Sequence, residues 1–366
     1  MSTPPVGPPG DLQTLTTETN ENAIELREVE GLSQSQIVRR RFFRHRGAIV
    51  GLVVLVLIIL LAYTSIGVWG IHGWWKWDPN DQPALANAGG KPTLSLPTWL
   101  GGDGLSIGSH PFGQDELGQD TFARTMRGTQ TSLDVMFVIG FVAAVLGMVV
   151  GALAGYYRGW LDQLLMRMTD LVITFPIIVI GAVLGKAVSH SSPWLLALCL
   201  GAITWTTLAR LVRGEFLSLR EREFVDAAKV AGASDFRIMR KHMLPNSMGV
   251  IIVNTTLLMS TAVLLETSLS YLGFGVQSPN VSLGKMIDDY QTAFATRPWL
   301  FWWPGIFIIM IALSVNFIGD GLRDAFDPRQ KRVPSPRQMQ RGAERQERLR
   351  DAVSASRHEH PPEEHE

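Results

Sequence analysis

An all-α integral membrane protein with six transmembrane helices is the fold class this sequence predicts, and three observations predict it. Only 18% of its 366 residues are charged, against about 25% in a soluble domain, and the charges are clustered. Six mostly apolar stretches, at about 48–69, 135–157, 171–188, 194–212, 248–272 and 300–317, suit bilayer helices of roughly 20 residues, because backbone amides in lipid must be satisfied within the segment. Of the 33 Lys and Arg residues, 26 fall on one side of the resulting topology and 7 on the other. That bias places both termini in the cytoplasm and makes the chain a multi-pass protein of the plasma (inner) membrane.

The elements follow in order. Residues 1–32, rich in Thr, Pro, Gly, Asn and Glu, predict a disordered cytoplasmic tail. In 33–47, Ile37, Phe42 and Phe43 alternate with arginines. This suits a basic amphipathic segment on the membrane lipid surface, and equally a solvated flank that anchors the first span. The span at 48–69 is expected to stay as an anchor, since a long polar segment precedes it and no small-residue cleavage site follows. Residues 70–130 form an extracytoplasmic segment in which Trp74, Trp75 and Trp77, with Trp69 before them, suit an interfacial aromatic belt. The remaining five spans lie in 131–322. Gly147, Gly151 and Gly155 there make a flat stripe for helix packing, and Pro176 predicts a kink. Residues 323–366 predict a second disordered cytoplasmic tail, ending in His358, His360 and His365.

Several function classes drop out. Zero net charge gives no sign of a nucleic-acid partner. A single cysteine, Cys199, permits neither an intramolecular disulfide nor a cysteine-built metal site. The nearest approach to a phosphate loop, Gly181 to Ala187 with Gly185 and Lys186, is one residue short, lacks the final Ser or Thr, and lies in an apolar span. With no zinc motif and no nucleophile elbow, the chain is read as non-catalytic, with no catalytic, metal or cofactor-binding residues. A secondary transporter would mark its path with polar groups inside the spans. Glu266, Asn254 and Asn316 are the gate or pathway candidates. Glu266 falls about 30 Å along a helix from Pro245, near the outer interface, where a hydrogen-bonding role outweighs proton coupling.

The inner loop at 217–246 is too long for a simple connection. Phe224, Ala227, Ala228 and Ala231 fall at helical spacing, and Gly232 suits a left-handed C-terminal cap. Ser234 can cap a second helix, with Asp235 favourable at its positive end. Phe236, Met239 and Met243 continue the spacing, and Pro245 follows. The prediction is helix, glycine turn, helix.

Asp226-Ala227-Ala228, three residues, Gly232, nine residues, then His242-Met243-Leu244-Pro245 resembles the loop of permease subunits of bacterial ABC importers. That family has Glu where Asp226 stands and Ile where His242 stands. His110 to Gly113, Asp115 to Asp120, Thr174 to Pro176, Glu266 to Gly273 and Gly319 to Asp324 are similar to the C-type subunit of oligopeptide and dipeptide permeases, although Gln119 replaces a common Arg. The resemblance spans about 33–330 and implies a type I ABC importer transmembrane fold over 131–322. It also implies that peptides are the solute, with nickel or another small solute as the alternative. The implied partners are a homologous permease subunit forming a heterodimer, two ABC ATPase subunits or one fused ATPase carrying ATP and Mg, and an extracytoplasmic peptide-binding protein. The implied ATPase-coupling positions are Glu223, Asp226, Ala227, Ala228, Gly232, Ser234, Asp235, Leu244 and Pro245.

Overall fold

The computed structural model describes residues 34–326 apart from 69, 96–103, 105 and 189–191. The expectations for 1–32, for Trp69 and for the chain after 326, including its three histidines, lie outside the described residues.

Helix α1 (Gln34–Phe42) packs beside the last helix, α11 (Trp299–Phe326). After a short break α2 runs Arg46–Ser65, its first turn capped by His45, whose Nδ1 accepts the Ala48 N–H at 3.0 Å. Small residues bring α2 and α11 together. A Cβ at Gly51 would lie 2.7 Å from the Ser314 carbonyl oxygen, and one at Gly321 would lie 2.2 Å from the Ala48 Cβ. The helix stops short of the predicted 69, because Gly67 and Gly70 take positive φ and turn the chain into a two-stranded hairpin, β1 (Gly67–Val68) and β2 (Ile71–His72).

The bundle is built on α3 (Thr121–Tyr157), which at 37 residues is about 55 Å long. It starts well before the predicted span at 135 and takes in residues 121–130, the end of the segment that the sequence assigns to the extracytoplasmic side. Hydropathy hides this turn because its buried polar side chains are satisfied internally. Thr125 and Thr129 donate to carbonyls four residues back, and Gln130 Nε2 donates to the carbonyls of Ala62 and Gly67. The other boundary also moves. Residues 323–326 belong to α11, where Asp324 pairs with His45 at 3.4 Å and Ala325 is buried.

Two predicted spans are bent. Helices α4 (Gly159–Thr174) and α5 (Ile177–Val188) meet at 83° across Phe175–Pro176, and α6 (Pro193–Thr204) and α7 (Thr206–Arg220) meet at 44°. The third span, predicted over 171–188, is therefore no single straight helix. Pro176 can neither donate its amide nor leave the preceding residue helical, and Phe175 is extended. Among the described residues four helices are long and apolar enough to cross a bilayer (α2, α3, α11 and the helix over Asp235–Tyr271), or six spans if each bent pair is one. Helix α8 (Glu223–Val230) leads to α9 (Asp235–Tyr271), and α10 (Leu283–Tyr290) precedes α11.

Apolar side chains gather into three nuclei that share α3. One joins it to α2, α10 and α11, a second to α7, α8 and the start of α9, and a third to α6 and the far part of α9. The glycine stripe lies on α7: a Cβ at Gly147 would meet the Leu208 Cβ at 2.9 Å, one at Gly151 the Ala209 carbonyl oxygen at 2.5 Å, and one at Gly155 the Phe216 Cβ at 2.6 Å. Gly151→Leu should force backbone apart and lower the melting temperature of detergent-solubilised protein by the equivalent of about 1–3 kcal/mol or more. Gly214→Ala, on a face of α7 where a Cβ meets nothing within 4 Å, should be neutral or slightly stabilising. Equal melting of the two variants would show that the stripe does not set the α3–α7 distance.

The described residues between β2 and α3 fold over one end of this bundle. Asp120 caps α3 through the Ala123 N–H at 2.9 Å, and also accepts the Trp75 indole N–H at 2.8 Å and contacts His110 Nδ1 at 2.9 Å. Trp77 donates to the Ser109 carbonyl and stacks on His110, while Phe112 stacks on Trp303 at 3.7 Å. Trp75 and Trp77 are thus held in this cap by their indole N–H groups, each ring half-buried. Only Trp74 of the described three is exposed. An indole N–H with a buried partner holds the ring where composition alone would leave it free.

Candidate functional site

The loop after α7 is held from below and open above. Val225, Ile238 and Met243 are fully buried against Tyr156, Val212 and Phe216. Ala228 is half-buried at this nucleus, so a larger side chain there would lift α8. Glu223, Asp226 and Ala227 point outward, and Asp226 pairs with Lys229 at 3.0 Å. Val230 is 90% exposed and Phe236 66% exposed. Phe236, Arg237, Arg240 and Lys241, with Ser234 and Pro245, line an open concavity. Apolar tips rimmed by charge are the composition of a docking surface.

Gly232 has φ +76°, and the hydrogen bonds around it complete a Schellman cap: the Gly232 N–H reaches the Lys229 carbonyl at 2.9 Å and the Ala233 N–H reaches Ala228 at 3.0 Å. Ser234 sits at the next N-cap, yet its hydroxyl makes no capping bond. The start of α9 is fixed through Asp235 instead, whose Oδ1 accepts the Tyr156 hydroxyl at 2.6 Å. A carboxylate already at the helix's positive end and tied to α3 makes a serine cap dispensable.

The second short helix of the predicted loop is continuous with the following span. A π turn over Ile238–Met243 widens the helix, the Leu244 N–H bonds back to the Met239 carbonyl, and Pro245 enters as an early residue of the straight α-helical part. The wide turn accommodates a residue that cannot donate, so the proline bends nothing to a stop. Leu244 packs against the nucleus while Pro245 is exposed. A push on this loop therefore acts on α9 directly.

Near the far end of α9, Glu266 is completely buried. Its Oε2 accepts from the Ser132 hydroxyl at 3.1 Å and its Oε1 from Ser270 at 2.7 Å, and Ser282 is a third hydroxyl partner. Each of those hydroxyls in turn accepts a backbone N–H: Leu283 on Ser132, Val276 on Ser270 and Lys285 on Ser282. One carboxyl thereby joins α3, α9 and the start of α10. Asn254 and Asn316 are not part of this group. Asn254 is about 18 Å earlier on α9 and bonds the Val250 carbonyl, and Asn316 is half-buried on α11.

Helix α10 carries a charged outer cluster. Burial pulls the Lys285 ammonium down, but its ion pairs with Asp289 at 2.7 Å and Asp288 at 3.1 Å outweigh that and raise its pKa. Burial, with Asp115 beside it, pushes the Tyr290 phenol up, and its hydroxyl donates to Asp115 at 3.0 Å. Gln119, standing where the resembling family carries Arg, is buried and accepts from Arg124. The sequence motif from His110 to Asp120 is thus the joint between α3, α10 and the cap. Ser270, four residues after Glu266, was open to detection by helical spacing; Ser132, Ser282 and Tyr156 were not, because their partners are 79 or more residues away or across a loop.

A bundle of long apolar helices, with a capped loop presented on one end and a buried polar joint near the other, is the architecture of a multi-span membrane protein. Residues 147–332 match the family described as binding-protein-dependent transport system inner membrane component, and residues 33–89 match the N-terminal TM domain of oligopeptide transport permease C. The oligopeptide transport system permease protein OppC of Mycobacterium tuberculosis is 35% identical over 300 residues, 82% of this chain and 96% of that one. Its namesake in Haemophilus influenzae is 34% identical over 312 residues, 84% and 93% of the two chains. The chain belongs to the OppC-type ABC permease family. Among solved structures, inward-facing conformations of the MetNI methionine ABC transporter overlap 56% of this chain and 97% of that one, at 20% identity and a TM-score of 0.46.

Proposed function

We propose that this chain is one of two homologous transmembrane subunits of an ATP-driven importer of di- or oligopeptides. The carrying observation is the loop around Gly232: an exposed, charge-rimmed apolar surface held on a buried nucleus and continuous with a long apolar helix. In this reading α8 and the start of α9 dock on an ATPase subunit, separate or fused to its twin, which binds ATP and Mg. Glu223, Asp226, Ala227 and Phe236 make the contact, and Ala228, Gly232, Ser234, Asp235, Leu244 and Pro245 set its shape. Closure of the ATPases moves this surface, and α9 carries the movement across the bilayer. An extracytoplasmic binding protein delivers peptide to the opposite face, which assigns both termini to the cytoplasm. Peptide as solute is supported by the oligopeptide permeases that this chain matches along most of its length.

The test is biochemical. The purified chain should show no ATPase activity, and co-reconstitution with a homologous permease and ATPase subunits should give hydrolysis stimulated by peptide-loaded binding protein. Hydrolysis by the isolated, uncontaminated chain would overturn the assignment, and proton-driven peptide transport without ATPases would replace it.

A further inference from the structure

We infer that the outward face of α1 and the turn after it form a binding surface for anionic phospholipid headgroups. Helix α1 packs against α11, with Ile37, Val38 and Phe42 half-buried. His45 fastens the turn, capping α2 through Ala48 and pairing with Asp324. The opposite face presents Gln36, Arg39, Arg40 and, just past the helix end, Phe43 at the helical spacing of one stripe, all exposed, and Arg44 and Arg46 around the following turn are exposed as well. Residues 34–48 contain no Asp or Glu. None of the ion pairs among the described residues engages Arg39, Arg40, Arg44 or Arg46. Phe43, in edge contact with Phe42, leaves 56% of its surface exposed beside them.

The position identifies the ligand. Val50, Val53 and Leu57 of α2 are exposed and apolar, so its lipid-facing surface begins one turn after Arg46, about 6 Å along the axis. The guanidinium groups therefore lie at the depth of the headgroup phosphates, which they can grip with two parallel hydrogen bonds. An uncompensated cationic stripe beside a phosphate layer favours lipids of net negative charge over zwitterionic ones. The exposed phenyl ring suits the boundary between headgroups and acyl chains. One rival occupant is the preceding stretch of the chain itself, which carries Glu21, Glu25, Glu28 and Glu30.

The proposal rests on reading α2 as a membrane span, and the experiment separates the two. Full-length chain carrying Phe43→Trp is placed in bilayers containing brominated phosphatidylglycerol or, at equal mole fraction, brominated phosphatidylcholine, with the parent's 11 tryptophans as baseline. The added fluorescence should be quenched at least about twofold more by the anionic lipid. Raised salt should shrink that preference, and the triple variant Arg39→Gln, Arg40→Gln, Arg44→Gln should abolish it. Leu57→Trp, within α2, should be quenched equally by both lipids. Equal quenching of F43W by both lipids, or by neither while L57W responds, overturns the headgroup site. A preference that appears only after deletion of residues 1–31 also overturns it, showing that the chain's own acidic stretch covers the arginines. Absence of quenching at L57W would sink the span and the proposal together.

Discussion

Replacing Glu266 by leucine is expected to loosen the segment 276–290 and to destabilise the solubilised protein by roughly 3–5 kcal/mol. The carboxyl is the common acceptor for Ser132, Ser270 and Ser282, and each hydroxyl orients a backbone amide of that segment. A leucine leaves three buried donors without their acceptor. Ser132 and Ser270 can turn back to carbonyls of their own helices, which recovers part of the loss but frees the Leu283 and Val276 amides. Gly284 makes the site intolerant of adjustment, since a Cβ there would lie 2.7 Å from the Thr267 Cα. Glu266→Gln keeps the shape but offers one acceptor oxygen and, in place of the other, an amide NH2 that donates, and should cost about 1–2 kcal/mol. Hydrogen exchange at Val276, Leu283 and Lys285, measured beside melting temperature, separates a local joint from general damage. Should E266L melt like the parent with those amides still protected, the carboxyl does not hold α10 in place.

How much of this was legible from the sequence depends on the distance over which each feature is encoded. Helix α2 is apolar all round, and the cap at Gly232 is written within six residues, from Ala228 to Ala233; both are local and both could be read. The turns of α3 from Thr121 to Gln130 could not, because their threonines and glutamine score as loop until the carbonyls that satisfy them are known. Pro176 announced a kink but not an 83° bend, since the angle is set by packing on either side. Pro245 marked the end of the predicted loop, and only the π turn before it shows how a proline enters a continuing helix. Glu266 stood out as a charge in an apolar run, yet two of its three hydroxyl partners belong to other elements. Trp75 and Trp77 show the same limit: residue type suggested an interface, and the partners that hold the rings, Asp120 and Ser109, lie 45 and 32 residues along the chain.

Gly232→Val is expected to leave the helical bundle folded while uptake by the reconstituted transporter falls about tenfold or more, the effect of some 1.4 kcal/mol at a docking step. A Cβ at this position meets nothing within 4 Å, so crowding contributes nothing and the whole penalty is conformational. At φ +76° a β-branched side chain is strained by about 1–3 kcal/mol. The chain escapes that strain by giving up the two bonds of the cap, from Gly232 to Lys229 and from Ala233 to Ala228, and α8 then no longer ends where α9 begins. Val225 and Ile238 keep their buried places, so the error is one of direction between two short arms. Gly232→Asn, which tolerates positive φ, should retain most activity, with Gly232→Ala between the two. Asp226→Lys should act by another route. It breaks the pair with Lys229 and reverses a charge on the exposed face without touching the backbone. In both damaging variants, complexes assembled to normal yield should hydrolyse ATP with weakened dependence on loaded binding protein, because in the proposed coupling the ATPase senses the spans through a correctly aimed α9. Normal uptake and normal stimulation in G232V would show that this loop does not carry the coupling, whatever its shape.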